Sequence, residues 1–400
     1  MMGLSVAVTG QALIHTPVKA VSDAAVALQT DLQAADVTMG NFEATLQTPS
    51  AWPLKTKTVH AADPNVMQSL KQLGFDALSL ANNHAFDLGP QGVVHTRQSV
   101  LDAGMAAAGS GEDATQASQA ALVTRARGRV ALLAFDVGPQ PEMVYARADS
   151  PGINPLRLHR HLMLPPQDLQ RLQAITAKTG YSQKMNLRQK IGFSDPLDGA
   201  GLDFYGLSVL SAEVVSEHLE PHAADLENAR QAIQVAALQA EVVAVSLHYH
   251  HWEVEWTQTP DWLDRLTKTL VDAGADLVFC HGPPVLQGMR LYQQRPIFYG
   301  LGNLIFQTHR APRYDDQDLA VWSSLVARCE FNSAHQCSAI HLYPIAVGRP
   351  IDALHAPTAP EYLLQANAQS LIADWLNRCC DFSGCRVLHH DRGCSLRLNH

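Results

Sequence analysis

Asn82, Asn83, His84 and Asp87 crowd together directly after the apolar run Phe75–Leu80. An amide oxygen, an imidazole nitrogen and a carboxylate oxygen are the donors that a hard or borderline divalent metal takes. Similar groups end other apolar runs. Gln11 follows Leu4–Val8, Asn41 and Glu43 follow Val37–Met39, and His248, His250 and His251 follow Val242–Leu247. His281 follows Leu277–Cys280, and Asn303 follows Ile297–Tyr299. One histidine after a strand is ordinarily structural. Recurrence at successive strand ends points to a shared site. A divalent ion there would polarise a phosphoryl or carbonyl oxygen and lower the pKa of bound water.

Within such a site, Asn41, Glu43, Asn83, His248 and His281 are the expected metal ligands, with Glu43 as the carboxylate able to bridge two ions. His84 stands beside Asn83 and suits an acid that protonates a leaving group. Asp87 either orients His84 through its other ring N–H or caps the following helix; both readings stay open. Gln11, His250, His251 and Asn303 fall to substrate contact or to support of the ligands. The cofactor expected is manganese, zinc or iron, as one or two ions.

The elements that position these groups alternate. Strand-like runs at Leu4–Val8, Asp36–Met39, Phe75–Leu80, Arg129–Phe135, Val242–Leu247 and Asp276–Cys280 are separated by helix-like stretches at Val21–Ala34, after Asp63-Pro64, Gln91–Ala103, Pro221–Gln239 and after Thr259-Pro260. Asp63 reads as an N-cap with Pro64 in the first turn, and Gly74 and Gly104 read as helix stops. This rhythm predicts an α/β fold, and such folds place ligands at the C-terminal ends of their strands.

Residues 138–206 break the rhythm with clustered prolines and read as an insertion or lid containing one helix, Pro166–Thr179. Long irregular segments in compact enzymes often cover active sites; a packed surface excursion is the plain alternative. Residues 1–310 then form the main domain and 311–400 a C-terminal extension packed on it. Cys379, Cys380, Cys385 and Cys394 cluster in that extension. Their spacing matches no paired CxxC zinc pattern, so reduced thiols are expected before a zinc site or a disulfide. Trp252, Trp256 and Trp262 follow the His248 group; aromatic residues there would line a pocket, although Trp262 fits a helix core face.

Hydrophobic residues make up 46% of the 400-residue chain and charged residues 17%, which suits a packed core and argues against extensive disorder. A net charge of -9 leaves no basic footprint for nucleic acid or anionic membranes. No apolar run approaches a spanning helix and no secretory signal pattern opens the chain, so a cytoplasmic protein is expected. The substrate is then a small molecule or an oligomer; the oligomeric state of the protein is not readable.

Several segments carry a family resemblance: Asn41-Phe42-Glu43, Ala81–Gly89, Ala108–Gly111, Val245–His248, Asp272–Pro283 and Ile297–Phe306. In this order they resemble the CapA family, named for capsule and poly-γ-glutamate synthesis proteins, within the calcineurin-like metallophosphoesterase superfamily. The resemblance implies a four-layer α/β/β/α sandwich with two central sheets and metal at the strand ends. Two positions depart from the family pattern. Gln11 stands where an aspartate ligand is usual, and Pro284 where a histidine is usual. The site would then hold one metal, or His15, His250 or His251 would substitute. The superfamily implies phosphoesters and the family name implies γ-linked amides. The expected function is a soluble metal-dependent hydrolase; the alternative is a non-catalytic binding or scaffold relative in polymer metabolism.

Overall fold

The strands that end in polar residues lie in two sheets of a computed structural model, which describes residues 3–54, 58–194, 201–317, 319–349, 358–379 and 385–398. In the larger sheet Ala106–Ala108, Ala77–Ser79, Val37–Asn41 and Leu4–Val8 run parallel in that order. Antiparallel strands continue it beyond Leu4–Val8: Ser323–Phe331, Cys337–Ala346, Gly393–Leu398 and Cys385–His390. In the second sheet Gly128–Gly138, Val242–Tyr249, Leu277–His281 and Arg295–Phe298 are parallel neighbours. Ala121–Arg125 and Met289–Tyr292 close its two edges in antiparallel pairing.

The two sheets share one core. Val6, Val8, Val37 and Met39 of the larger sheet and Leu132, Ala134, Ala244 and Phe279 of the second belong to a single buried cluster. Helices Asp23–Ala34 and Val66–Leu73 cover the other face of the larger sheet through Leu28, Leu32, Val66 and Leu70. Strands covered on both faces read as continuous apolar runs rather than alternating ones, which is why they were visible without a partner. The chain is therefore mixed α/β with several sheets.

Local signals act mostly where expected. The Ser22 hydroxyl accepts the Ala25 N–H and caps the first helix. Gly74 ends the second at a φ of 111°. Asp63-Pro64 differs. It forms the turn before that helix, with Asp63 Oδ1 accepting the Asn65 N–H at 2.8 Å, and the helix itself begins at Val66.

Two compact units divide the chain: Met1–Leu156 with Ala224–His400, and Arg157–Ala223. The smaller contains helices Pro166–Lys178 and Tyr181–Lys190 and a four-stranded sheet. Leu158–Leu164 lies between Leu207–Ser211 and Ser216–Pro221, with Leu202–Phe204 at an edge. This unit overlaps the proline-rich segment 138–206. Gly152–Ile153 pairs with Ser110–Gly111 in the larger unit, and the smaller one runs on through the strand Ser216–Pro221 to Ala223.

Residues after 310 enter the larger sheet rather than standing apart from it, since Ser323–Phe331 pairs with Leu4–Val8. Trp375, from the helix Gln365–Leu376, is fully buried in the core between the sheets, where its Nε1 donates to the Gln287 carbonyl at 2.7 Å. Of the C-terminal cysteines, Cys394 is buried with an unlinked thiol. The Cys379 thiol lies 3.2 Å from the Trp375 carbonyl. Cys380 and the Cys385 side chain lie outside the described residues. Among those residues no helix is long and apolar enough to cross a membrane.

Candidate metal centre

Glu43, His248 and His250 each place a ligand atom within 4.8 Å of the others. His248 Nε2 lies 3.9 Å from Glu43 Oε1 and 3.1 Å from His250 Nε2. Glu43 leaves the end of Val37–Asn41, where its N–H donates to the Ala12 carbonyl at 3.0 Å. His248 and His250 flank Tyr249, and alternate residues of extended chain share a face. The side chains of Glu43 and His248 are almost wholly buried. A carboxylate and two imidazoles this close suit a divalent cation.

Asn41, at the strand end before Glu43, and Asn303, the register partner of Gln11, are buried amides. Asn41 Nδ2 donates to Ser79 Oγ at 3.1 Å, and Asn41 Oδ1 has no hydrogen-bond partner among the described residues. Asn303 Nδ2 donates to the Pro284 carbonyl at 3.2 Å, and its Oδ1 is likewise without a partner. A buried amide oxygen with no donor costs roughly 1–3 kcal/mol. Unpartnered amide oxygens beside a carboxylate and imidazoles are donor types that fit a bound divalent metal.

The Asn82–Asp87 turn is held from two sides. Asn82 Nδ2 donates to the Phe42 carbonyl at 2.7 Å, and its Oδ1 accepts the His84 N–H at 3.0 Å. This amide therefore ties the turn to the loop that carries Glu43. His84 Nδ1 lies 2.7 Å from Asp87 Oδ2, which also accepts the His60 N–H at 2.8 Å. His60 Nδ1 lies 2.7 Å from His15 Nε2, and the rings of His60 and His84 meet edge-on at 4.1 Å. Burial first, then the nearby His309 and His84, lowers the His15 pKa to about 4.

A cavity of about 480 Å³ opens over these groups, lined by Glu43, Asn83, His84, His60 and His250 on one side and by Trp252, Trp256, Phe306 and Tyr314 on another. Arg310 also lines it, with its guanidinium 2.5 Å from the Thr58 hydroxyl. Burial, and then the charge of Glu43, raises the Tyr314 pKa, so its hydroxyl keeps its proton.

Glu43, His248 and His250 thus come together, with Asn41 two positions before Glu43, Asn303 buried opposite Gln11 in strand register, and Asn83 and His84 on the cavity wall. His281 lies beside His248 in strand register but turns elsewhere. Its Nε2 is 3.1 Å from the Thr9 carbonyl and its Nδ1 3.4 Å from Ser246 Oγ. Burial lowers its pKa to about 4, so it is neutral. The three residues whose ligand atoms lie within 4.8 Å of one another include His250 and not His281. His251 packs edge-on to Trp262, 6.0 Å between ring centroids.

Gln11 uses its Oε1 to accept the Gly282 N–H at 2.9 Å, fastening two strand ends to each other. Gly282 has a φ of 123°, and a Cβ there would stand 1.9 Å from the Tyr249 carbonyl oxygen. Only glycine allows that approach. Sequence reasoning missed Asp136 and His60, and placed His15 only as a substitute ligand. Asp136 is the register partner of His248 on the side away from His281 and is fully buried. Its signal was an acid inside the apolar run Val130–Val137. His60 follows no apolar strand of comparable length and gave no signal.

Residues 5–308 match the family described as bacterial capsule synthesis protein PGA_cap. The chain belongs to this PGA_cap/CapA family. It is 32% identical over 295 residues to the uncharacterized protein y4sH of Sinorhizobium fredii (strain NBRC 101917 / NGR234), covering 70% of this chain and 61% of that one. It is 26% identical over 279 residues to the capsule biosynthesis protein CapA of Bacillus anthracis, covering 69% and 51%. The chain thus spans between half and about three fifths of the length of these relatives. A crystal structure of a novel phosphatase from Mycoplasma pneumoniae superposes with a TM-score of 0.41 at 8% identity, covering 86% of this chain and 95% of that one.

Proposed function

We propose that this protein is a metal-dependent hydrolase on a metallophosphoesterase-like four-layer α/β/β/α sandwich, cleaving a phosphoester or an amide bond. The observation that carries the reading is the buried group of Glu43, His248 and His250, reinforced by the unsatisfied amide oxygens of Asn41 and Asn303. A divalent metal held by these residues would supply an activated water and polarise the bond under attack. One ion suffices for the donors gathered here; Asn83 and His281 would be needed to complete a second.

The chain's own groups set the remaining chemistry. Asp87 holds His84 by Nδ1, so proton exchange with a bound ligand falls to Nε2. His84 then donates to the leaving group as a general acid. Trp252 and Trp256 form an apolar wall that excludes water and orients the substrate, while Arg310 offers a cation to an anionic part of it. The names of the relatives make a γ-glutamyl-type amide the substrate class to test beside phosphoesters.

A second reading, a binding or scaffold protein of polymer metabolism, is favoured by Gln11. It contributes a neutral amide already engaged with Gly282, where the resemblance leads one to expect a carboxylate. Metal analysis by mass spectrometry of protein purified without chelators separates the two readings. It should be followed by a panel of phosphoesters and γ-glutamyl amides, with Glu43→Gln as control. Bound manganese, zinc or iron with hydrolysis lost in Glu43→Gln is expected. A metal-free chain that takes up none and hydrolyses nothing establishes the second reading instead.

A further inference from the structure

Side chains alternate past the end of the strand Val242–Tyr249. His248, His250 and Trp252 fall on one side. There His250 Nε2 lies 3.1 Å from His248 Nε2, and the His250 ring stacks on the Trp252 indole with centroids 5.0 Å apart and planes 28° apart. Tyr249 and His251 fall on the other side, each edge-on to Trp262 at 5.5 and 6.0 Å. Residues two apart in extended chain share a face. The run His248-Tyr249-His250-His251-Trp252 therefore lays an indole against the second histidine of the metal group.

The indole is itself held. Its Nε1 donates at 3.0 Å to the carbonyl of Tyr249, the residue between the two histidines. Trp256 meets it edge-on, with ring centroids 4.9 Å apart. Gln287 is fully buried and fastens this frame. Its Nε2 donates to the Trp256 carbonyl at 2.9 Å and to the Gln258 carbonyl at 3.2 Å, and its Oε1 accepts the Tyr249 hydroxyl at 2.6 Å. One buried amide thus ties the turn that carries Trp256 to the strand end that carries His248 and His250. A buried network with its polar groups satisfied rigidifies what it joins.

His250 needs such support more than the other two members of the group. The side chains of Glu43 and His248 are almost wholly buried, so packing restricts them. His250 is half-buried on the cavity wall. An imidazole there can turn towards water, and apparent affinity falls with the fraction of time the ring is misplaced. Aromatic contact at this centroid distance favours one ring orientation. An imidazole that shares its lone pair with a cation also becomes electron-poor, and an indole face stabilises that form.

We propose that Trp252 is a positioning residue, which holds the His250 ring towards His248 and Glu43 and so raises the affinity of that group for its metal. The proposal rests on the metal reading of the group, and it does not depend on hydrolysis. It goes beyond the part of Trp252 in the apolar cavity wall, which any bulky apolar side chain would fill.

The test is a zinc titration of the whole metal-stripped chain against a competing chromophoric chelator, with Trp252→Phe, Trp252→Leu and Trp252→Ala beside the native chain. Trp252→Leu and Trp252→Ala should bind zinc about ten- to a hundred-fold more weakly. Trp252→Phe keeps a flat ring without the N–H, and its affinity should fall between theirs and the native value. The visible spectrum of bound cobalt(II), which reports ligand geometry, should change in Trp252→Leu more than in Trp252→Phe. A wall role alone predicts that Trp252→Leu binds zinc as tightly as the native chain, and that result overturns the proposal. Equal weakening in all three variants also overturns it, since loss of the flat ring would then not be the cause. A native chain that takes up no zinc overturns the metal reading and the proposal together, whereas native uptake left unchanged by Trp252→Leu and Trp252→Ala overturns the proposal alone.

Discussion

The Asp87 carboxylate holds His84 Nδ1 at 2.7 Å, and the same oxygen accepts the His60 N–H at 2.8 Å. One buried anion therefore orients the ring of His84 and anchors the chain that passes beside it. Asn in place of Asp preserves the shape but removes the charge that favours a protonated imidazole. Asp87→Asn should lower turnover by about a hundredfold or more while leaving bound metal unchanged. Steady-state kinetics paired with metal analysis measures both. A parallel fall in metal content would show that Asp87 acts through the fold of the site instead.

Glu43 and His250 should matter to metal before anything else. Glu43→Gln removes the anion of the group, and His250→Ala removes one of two imidazoles 3.1 Å apart. Each should reduce metal content at fixed supply, Glu43→Gln the more, because a buried dication loses its only charged carboxylate within the group. His281→Ala should spare metal more than His250→Ala does, given its contacts to Thr9 and Ser246. Mass spectrometry of the three variants, purified in parallel, checks the order; loss of metal in His281→Ala alone would restore that residue as a ligand.

Acid should destabilise the metal-free protein before its carboxylates protonate. His15, His281 and His341 are each lowered to a pKa of about 4, in every case chiefly by burial. In the unfolded chain these imidazoles titrate near about 6.5. Between those values the unfolded state binds more protons, so stability is full above about 6.5 and falls as the pH drops towards 4. Thermal unfolding in chelator should show a lower midpoint at pH 5 than at pH 7.5. His341→Gln, far in sequence from the metal group, should show a smaller drop; an unchanged drop would exclude His341 from the effect.

Trp375 tests whether the C-terminal residues belong to the core. It is fully buried and hydrogen-bonded to the Gln287 carbonyl. Trp375→Ala should cost about 3–5 kcal/mol, measured by denaturant unfolding of the whole chain. A loss under 1 kcal/mol, on the scale of a surface change, would mean that the helix Gln365–Leu376 packs as a detachable extension.

The apolar strand runs and the polar residues at their ends were legible in the sequence because both are local. Strands covered on two faces announce themselves without partners, and Asn82, His84 and Asp87 bond to one another within their own turn, although Asn82 also reaches Phe42 across 40 residues and Asp87 reaches His60 across 27. Tertiary structure alone decided the rest. His250 joined Glu43 and His248 because the chain stays extended through Tyr249, while the His281 ring turned to Thr9, a contact across 272 residues. Asp136 entered the neighbourhood through strand register, His60 through the Asp87 carboxylate, and His15 through the His60 ring. The pairing of Leu4–Val8 with Ser323–Phe331 is likewise set by which strands meet and in what register. A run of residues does not encode its distant neighbour, so only the folded chain could settle which donors share a site.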